Sequence, residues 1–244
     1  MLSETDIIDE VYGSRDGLSL DLDAHYDLTR AELREVLARR TDFLHYIGHI
    51  DDGGFQCSDG KLNAKSLSNV GTGSFLLNAC QSYDQGLALI EAGAVGGIVT
   101  LSEVINTQAV RVGRTLARFL NCGFPLQASL QLVRTYSDAG HQYSVVGDGS
   151  LSVVQAESGF AIICEVEQDE HDTYVLSHKT YPTSRCGPGS LAIPAFPGTQ
   201  QYHLGSQRIT DVELTESEFR EFLALEQIPV VYDDSVYWDD SFLQ

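Results

Sequence analysis

Residues 75–101 read FLLNACQSYDQGLALIEAGAVGGIVTL, and this stretch decides the fold. Phe75 to Ala79 is a short, mostly apolar run, which suits a strand buried on both faces better than one with a wet side. Leu87, Ile90 and Glu91 then recur at helical spacing, and Gly93 stands where a helix would stop. Val95 to Leu101 is a second apolar run. Strand, helix and strand in immediate succession predict a parallel pair joined by a crossover helix, and so an α/β sheet with helices on its faces.

Working outward, Thr29 and Glu32 form a capping box before Leu33, Val36 and Leu37. Leu28 and Leu33 are placed as a hydrophobic staple, so a helix is expected over about 30–40. DFLHYIGH (42–49) reads as another doubly buried strand. Downstream, helices are expected over Gln108–Asn121, closed by Cys122 and Gly123, and from Pro125 to about Tyr136. Arg111, Arg114 and Arg118 share a face of the first, which reads as a solvated face. YSVVGDGSLSVVQ (143–155) is strand-like around a turn at Gly147-Asp148-Gly149.

Beyond about Gln155 the texture changes. FAIICEVEQDEHDTYVLSH (160–178) reads as a hairpin, and four of the six prolines crowd 182–197. Thr215 and Glu218 repeat the capping box, and IPVVYDDSVYWDDSF (228–242) reads as one short strand with an acidic aromatic tail. The expected organisation is a first domain over 1–156 and a small β-rich C-terminal unit over 157–244.

Thirty-five acidic residues against fifteen basic ones give a formal charge of −20. A polyphosphate or an anionic bilayer would be repelled, so neither nucleic acid nor membrane is an expected partner. Dense carboxylate with only Lys61, Lys65 and Lys179 as lysines resembles halophilic proteins of salt-loving archaea. The five cysteines, Cys57, Cys80, Cys122, Cys164 and Cys186, are odd in number and contain no CxxC pair, against a disulfide framework or a zinc site. The acidic start MLSETDIIDE lacks the features of a signal peptide, and there is no apolar run of about 18 residues. These features predict a soluble, cytoplasmic protein. No cofactor is implied, and GTGSF (71–75) precedes a strand where a dinucleotide fingerprint would follow one.

His49 and Cys80 stand at the carboxyl ends of their two apolar runs. In open parallel sheets that end is where ligands bind. A thiol beside an imidazole is the minimal pair for acyl transfer through a thiolate. An inert core cysteine and a satisfied core histidine fit the same spacing, as does a weaker metal pairing of His45 with His49, for which no third ligand stands out.

The segments LHYIGHI, FLLNACQS and ALIEAGAVGGIVTLSEV together resemble the peptidase domain of the CHAT family, caspase-like cysteine peptidases related to separase, gingipain and the caspases. YSVVGDGSLSV is similar to that family's closing segment, and the resemblance covers about 1–155. It implies a caspase-like, mostly parallel sheet sandwiched by helices, and a cysteine endopeptidase acting on a protein or peptide substrate in signalling or regulated proteolysis. It implies His49 as general base and Cys80 as nucleophile. Backbone N–H groups of Cys80 and Ile50 would hold the oxyanion, with Ile50 standing where the family usually has glycine. Asp51 and Asp52 fall where related peptidases line a pocket for a basic residue before the scissile bond. Family members usually have another strand–helix unit ahead of the histidine strand; the resemblance implies DIIDEVYG (6–13) as the helix of that unit and LSLDLDAHY (18–26) as its following strand, with the first strand absent. A partner domain or chain is therefore expected at the N-terminal sheet edge. The alternative is a non-catalytic adaptor that keeps the fold for protein interaction.

Overall fold

The structure, a computed structural model, describes residues 11–12, 20–103, 106–168, 173–194, 196, 201–225 and 227–243. The chain divides into two compact units. One comprises Met1–Asn121 with Leu126–Val153, the other Cys122–Pro125 with Val154–Gln244. Among the described residues no helix is long and apolar enough to cross a membrane.

In the first unit, α1 (Arg30–Ala38) leads into β1 (Thr41–Ile47). Three short strands follow, β2 (Ile50–Asp51), β3 (Gly54–Cys57) and β4 (Gly60–Leu62). Then come β5 (Thr72–Asn78), α2 (Tyr83–Glu91), β6 (Gly96–Thr100), α3 (Asn106–Asn121), α4 (Leu126–Tyr136) and β7 (Tyr143–Gly147). The main sheet has the order β1-β5-β6-β7. β1, β5 and β6 are parallel and β7 is antiparallel to β6, giving a mixed α/β architecture around a mostly parallel sheet. The capping box that opens α1 is present: the Thr29 hydroxyl accepts from Glu32 N–H and the Glu32 carboxylate returns to Thr29 N–H. It satisfies two amides that a helix start leaves open. Leu33 and Leu37 on that helix join Phe75, Leu77, Leu89 and Val99 in one buried cluster.

The two inner strands are almost wholly buried, in keeping with their mostly apolar runs. β1 differs. It was expected to be buried on both faces, yet six of its seven residues are half-buried and Asp42 is exposed. The reason is positional: among the described residues β1 pairs only with β5 and forms the edge of the sheet. Several other expectations give way. Residues 20–26 form no strand, because Asp23 turns to His25 and Arg39 instead of to a ladder; 18–19 and most of 6–13 lie outside the described residues. The strand beginning at Tyr143 ends at Gly147 without resuming. There the Asp148 amide bonds back to Val95 carbonyl, and its carboxylate caps the Ser150 N–H and hydroxyl. The arginine face of α3 is not solvated as a whole. Only Arg111 is exposed, whereas Arg114 and Arg118 are half-buried.

The second unit holds β8 (Ala161–Gln168), β9 (Thr173–Tyr181), β10 (Leu191–Ala192), β11 (His203–Leu204), β12 (Arg208–Thr215), α5 (Glu216–Leu223), β13 (Val230–Tyr232) and β14 (Ser235–Tyr237). Its five-stranded sheet has the order β12-β9-β8-β13-β14. A capping box at Thr215 and Glu218 opens α5, whose Phe219 and Phe222 pack with Tyr174, Leu176 and Val230. The chain's end is a hairpin rather than one strand and a tail. Asp233 and Asp234 make its two-residue turn in the left-handed region, at φ 49° and 55°, and without glycine the turn leaves little trace in the sequence.

Candidate active site at the carboxyl edge of the parallel sheet

Ile47 on β1 lies opposite Asn78 on β5. His49 stands two residues beyond the first and Cys80 two beyond the second. The register thus carries both to the same edge, on neighbouring strands roughly 4.8 Å apart. This is the edge at which open parallel sheets form their crevices.

The turn that carries Cys80 is built from buried polar groups. Gln81 adopts φ 52°, a left-handed conformation seldom taken by a side-chain-bearing residue, and so reverses the chain between β5 and α2. Ser82 and Thr100, both almost fully buried, clasp it reciprocally. Ser82 N–H donates to Thr100 Oγ1 at 3.2 Å and Thr100 N–H to Ser82 Oγ at 2.8 Å. The Ser82 hydroxyl donates to Leu77 carbonyl at 3.1 Å, and the Thr100 hydroxyl donates to Ala79 carbonyl. Gln81 N–H reaches Ser102 carbonyl at 3.3 Å. α2 begins at Tyr83, three residues after the half-buried Cys80 thiol. Burial first, and the charge of a Cys80 thiolate second, push the Tyr143 phenol above its ordinary range.

His49 occupies a different setting. Its side chain is exposed, but its carbonyl accepts two bonds, from the Tyr46 hydroxyl and from Gln56 N–H, each at 3.0 Å. Burial pushes the Tyr46 phenol up to about 12, so it stays a donor throughout the neutral range. The loop beyond is the meander β2-β3-β4, with Ile50 opposite Phe55 and Asp51 opposite Gly54. The bond from Gln56 to His49 marks that pair as a hydrogen-bonded one. Alternation along an antiparallel ladder then makes Ile50 and Phe55 a non-bonded pair, with the Ile50 amide turned away from β3. Ile50 is 5% exposed and takes no left-handed backbone, so isoleucine is accommodated where the resemblance implied glycine.

Asp51 and Asp52 sit at the tip of this meander. The Asp51 carboxylate accepts from Lys61 Nζ and, at 2.8 Å, from Gly53 N–H. These bonds, the lysine's foremost, hold it below the usual carboxylate range. Asp52 is exposed in the turn. His45, weighed as a metal partner of His49, instead shares a 3.0 Å hydrogen bond with Tyr12 through Nδ1. Among the described residues no three His, Cys, Asp or Glu side chains gather as a metal site would require.

Asn78, Thr100 and Tyr143 bear on the cysteine turn without standing out as functional in the sequence. The available signal was a polar residue closing an apolar run, Asn78 in FLLN and Thr100 in GGIVT. The meander had a plainer one: Asp52-Gly53 and Asp59-Gly60 are the strongest short hairpin signal a sequence offers.

No protein-family model matches the chain, and no curated protein matches it. Among solved structures, a complex of Porphyromonas gingivalis RgpB pro- and mature domains aligns with a TM-score of 0.43 at 14% identity, over 80% of this chain and 53% of that one. The chain thus spans about half the length of that structure's chain.

Proposed function

We propose that the first unit is a caspase-like cysteine endopeptidase of the CHAT type. The observation that carries this reading is the β1–β5 register, which brings His49 and Cys80 to one edge at matching positions. His49 would take the Cys80 proton, and the thiolate would attack the scissile carbonyl. The amides of Cys80 and Ile50 would hold the tetrahedral oxyanion, and an acyl-enzyme would form as the amine leaves with the proton from His49. Asp51 and Asp52 would favour a basic residue before the scissile bond, with Asp51 sharing its carboxylate with Lys61. The outer edge of β1 would accept a strand from a partner domain or chain.

A peptide-like thiol probe followed by mass spectrometry tests the assignment. Selective labelling of Cys80 is the expected outcome. Cys57, Cys122 and Cys164 are buried, so Cys186, half-buried like Cys80, is the informative control. Equal labelling of Cys80 and Cys186 would remove the activated thiolate and leave the adaptor reading.

A further inference from the structure

Beneath the cysteine turn runs a buried polar relay. Thr100 on β6 lies opposite Tyr143 on β7. The β5–β6 register, which pairs Leu76 with Ile98, sets Asn78 beside Thr100 when carried two residues further. Asn78 and Tyr143 are therefore two strands apart, roughly 10 Å between backbones, and a side chain as long as tyrosine is needed to close the gap. Tyr143, fully buried, donates its hydroxyl to Asn78 Oδ1 at 2.7 Å. Asn78 Nδ2 in turn donates to the Ala109 carbonyl of α3 at 3.1 Å. Both ends of the amide are thus engaged, and the bonds fix which end is oxygen. α3 leaves room for this: a Cβ at Gly113 would come within 2.4 Å of Asn78 Nδ2. Cys80 follows Asn78 by two residues.

A phenylalanine would fill the same apolar space, so the hydroxyl has a purpose that packing does not supply. We propose that Tyr143 is a positioning residue. Through Asn78 it fixes the end of β5, and so the direction in which Cys80 presents its sulfur toward His49. The proposal rests on the Cys80–His49 reading given above. It assigns Tyr143 no proton transfer, since its hydroxyl is committed to Asn78.

Two readouts separate this proposal from the reading beneath it: peptide turnover, and the pH profile of Cys80 alkylation by iodoacetamide, which follows the thiolate whether or not peptides are cut. Tyr143→Phe is compared with wild type, with Ser144→Ala as a control on the same strand and with Gly113→Ala, which crowds Asn78 from the helix side. Misplacement of a nucleophile costs on the order of ten- to a hundredfold in rate. Tyr143→Phe is therefore expected to lower kcat by that factor with KM nearly unchanged. The alkylation midpoint should move upward, because a thiolate held less often against the imidazolium loses its partner. Gly113→Ala should do the same although alanine suits a helix better than glycine, and Ser144→Ala should resemble wild type. Wild-type kcat and midpoint in Tyr143→Phe would overturn the proposal and leave the peptidase reading intact. A wild-type protein that cuts no peptide, but whose alkylation midpoint still moves in Tyr143→Phe, would sink the peptidase reading and keep the positioning role. No turnover and no shift would end both.

Discussion

The tips of β5 and β1 lie at one sheet edge, yet they are held in different ways. The Cys80 turn is gripped by Ser82 and Thr100 and underlain by Tyr143 and Asn78, whose polar atoms are bonded on both sides. The His49 tip is open: its imidazole is exposed and only its carbonyl is tied down. Each tip also has a tyrosine bonded to a polar side chain in the strand below it. On β5 the partner is Asn78, which is satisfied. On β1 it is His45, which meets Tyr12 through Nδ1 while its buried Nε2 has no hydrogen-bond partner among the described residues. The lesson is that the strand with two neighbours can bury and satisfy polar groups, whereas the edge strand leaves one of them wanting.

The largest test of this contrast is loss of function with rescue. Cys80→Ala and His49→Ala should each reduce peptide turnover by on the order of a thousandfold or more. They should part company on rescue. The exposed His49 tip leaves room for added imidazole to take the place of the lost side chain, so His49→Ala should recover measurably. Cys80→Ala lacks the nucleophile that would carry the acyl group, so imidazole should leave it inactive. Rescue of Cys80→Ala, or undiminished turnover in either variant, would break the comparison.

A second test lies in the orphan nitrogen. Burial lowers the His45 pKa from 6.5 to about 4. Unfolded His45 binds a proton as pH falls through about 6.5, and the folded side chain refuses it until about pH 4. The sign follows: stability is full above pH 6.5 and drains as pH falls toward 4, by about 3 kcal/mol at most. Amide exchange along β1, followed from pH 7 to 4, should show that loss in the wild type. His45→Leu combined with Tyr12→Phe removes both polar groups and should flatten the dependence. An unchanged slope would show that β1 is not the acid-sensitive strand.

These contrasts also mark how far the sequence could be read. Phe75–Ala79 and Gly96–Thr100 are buried, so for the two inner strands one-dimensional pattern and three-dimensional burial agree, although Val95 and Leu101 at the ends of the second run are exposed. DFLHYIGH is also mostly apolar, yet among the described residues it makes an edge, because an apolar pattern does not record a strand's number of neighbours. The positions of His49 and Cys80 at strand ends were legible, since an apolar run shows where it stops. The clasp of Ser82 and Thr100 was not, because it joins residues eighteen apart through a register that only pairing reveals. The Arg114 and Arg118 face misled for the same reason: helical spacing shows which residues share a side, but not what covers that side.

The smallest effect concerns the open tip itself. Lys61 holds Asp51 on the surface of the meander, and exposed pairs of this kind contribute little to stability. Lys61→Ala should therefore leave the melting temperature near that of the wild type. It would, however, free a carboxylate two positions beyond His49 in the chain. If Asp51 helps to receive a basic side chain, the ratio of kcat/KM for arginine over leucine before the scissile bond should rise in Lys61→Ala and fall in Asp51→Asn. The pH dependence adds a sign. Lys61 and Gly53 hold the Asp51 carboxyl below its usual range, so the ion pair is present above the ordinary carboxylate pKa and is lost as pH falls through the depressed one. In Lys61→Ala the arginine preference should fade at a higher pH than it does in the wild type, because the carboxylate then protonates earlier. A preference that ignores both substitutions would confine Asp51 to a structural part in the hairpin and leave the open tip with His49 alone as its reactive group.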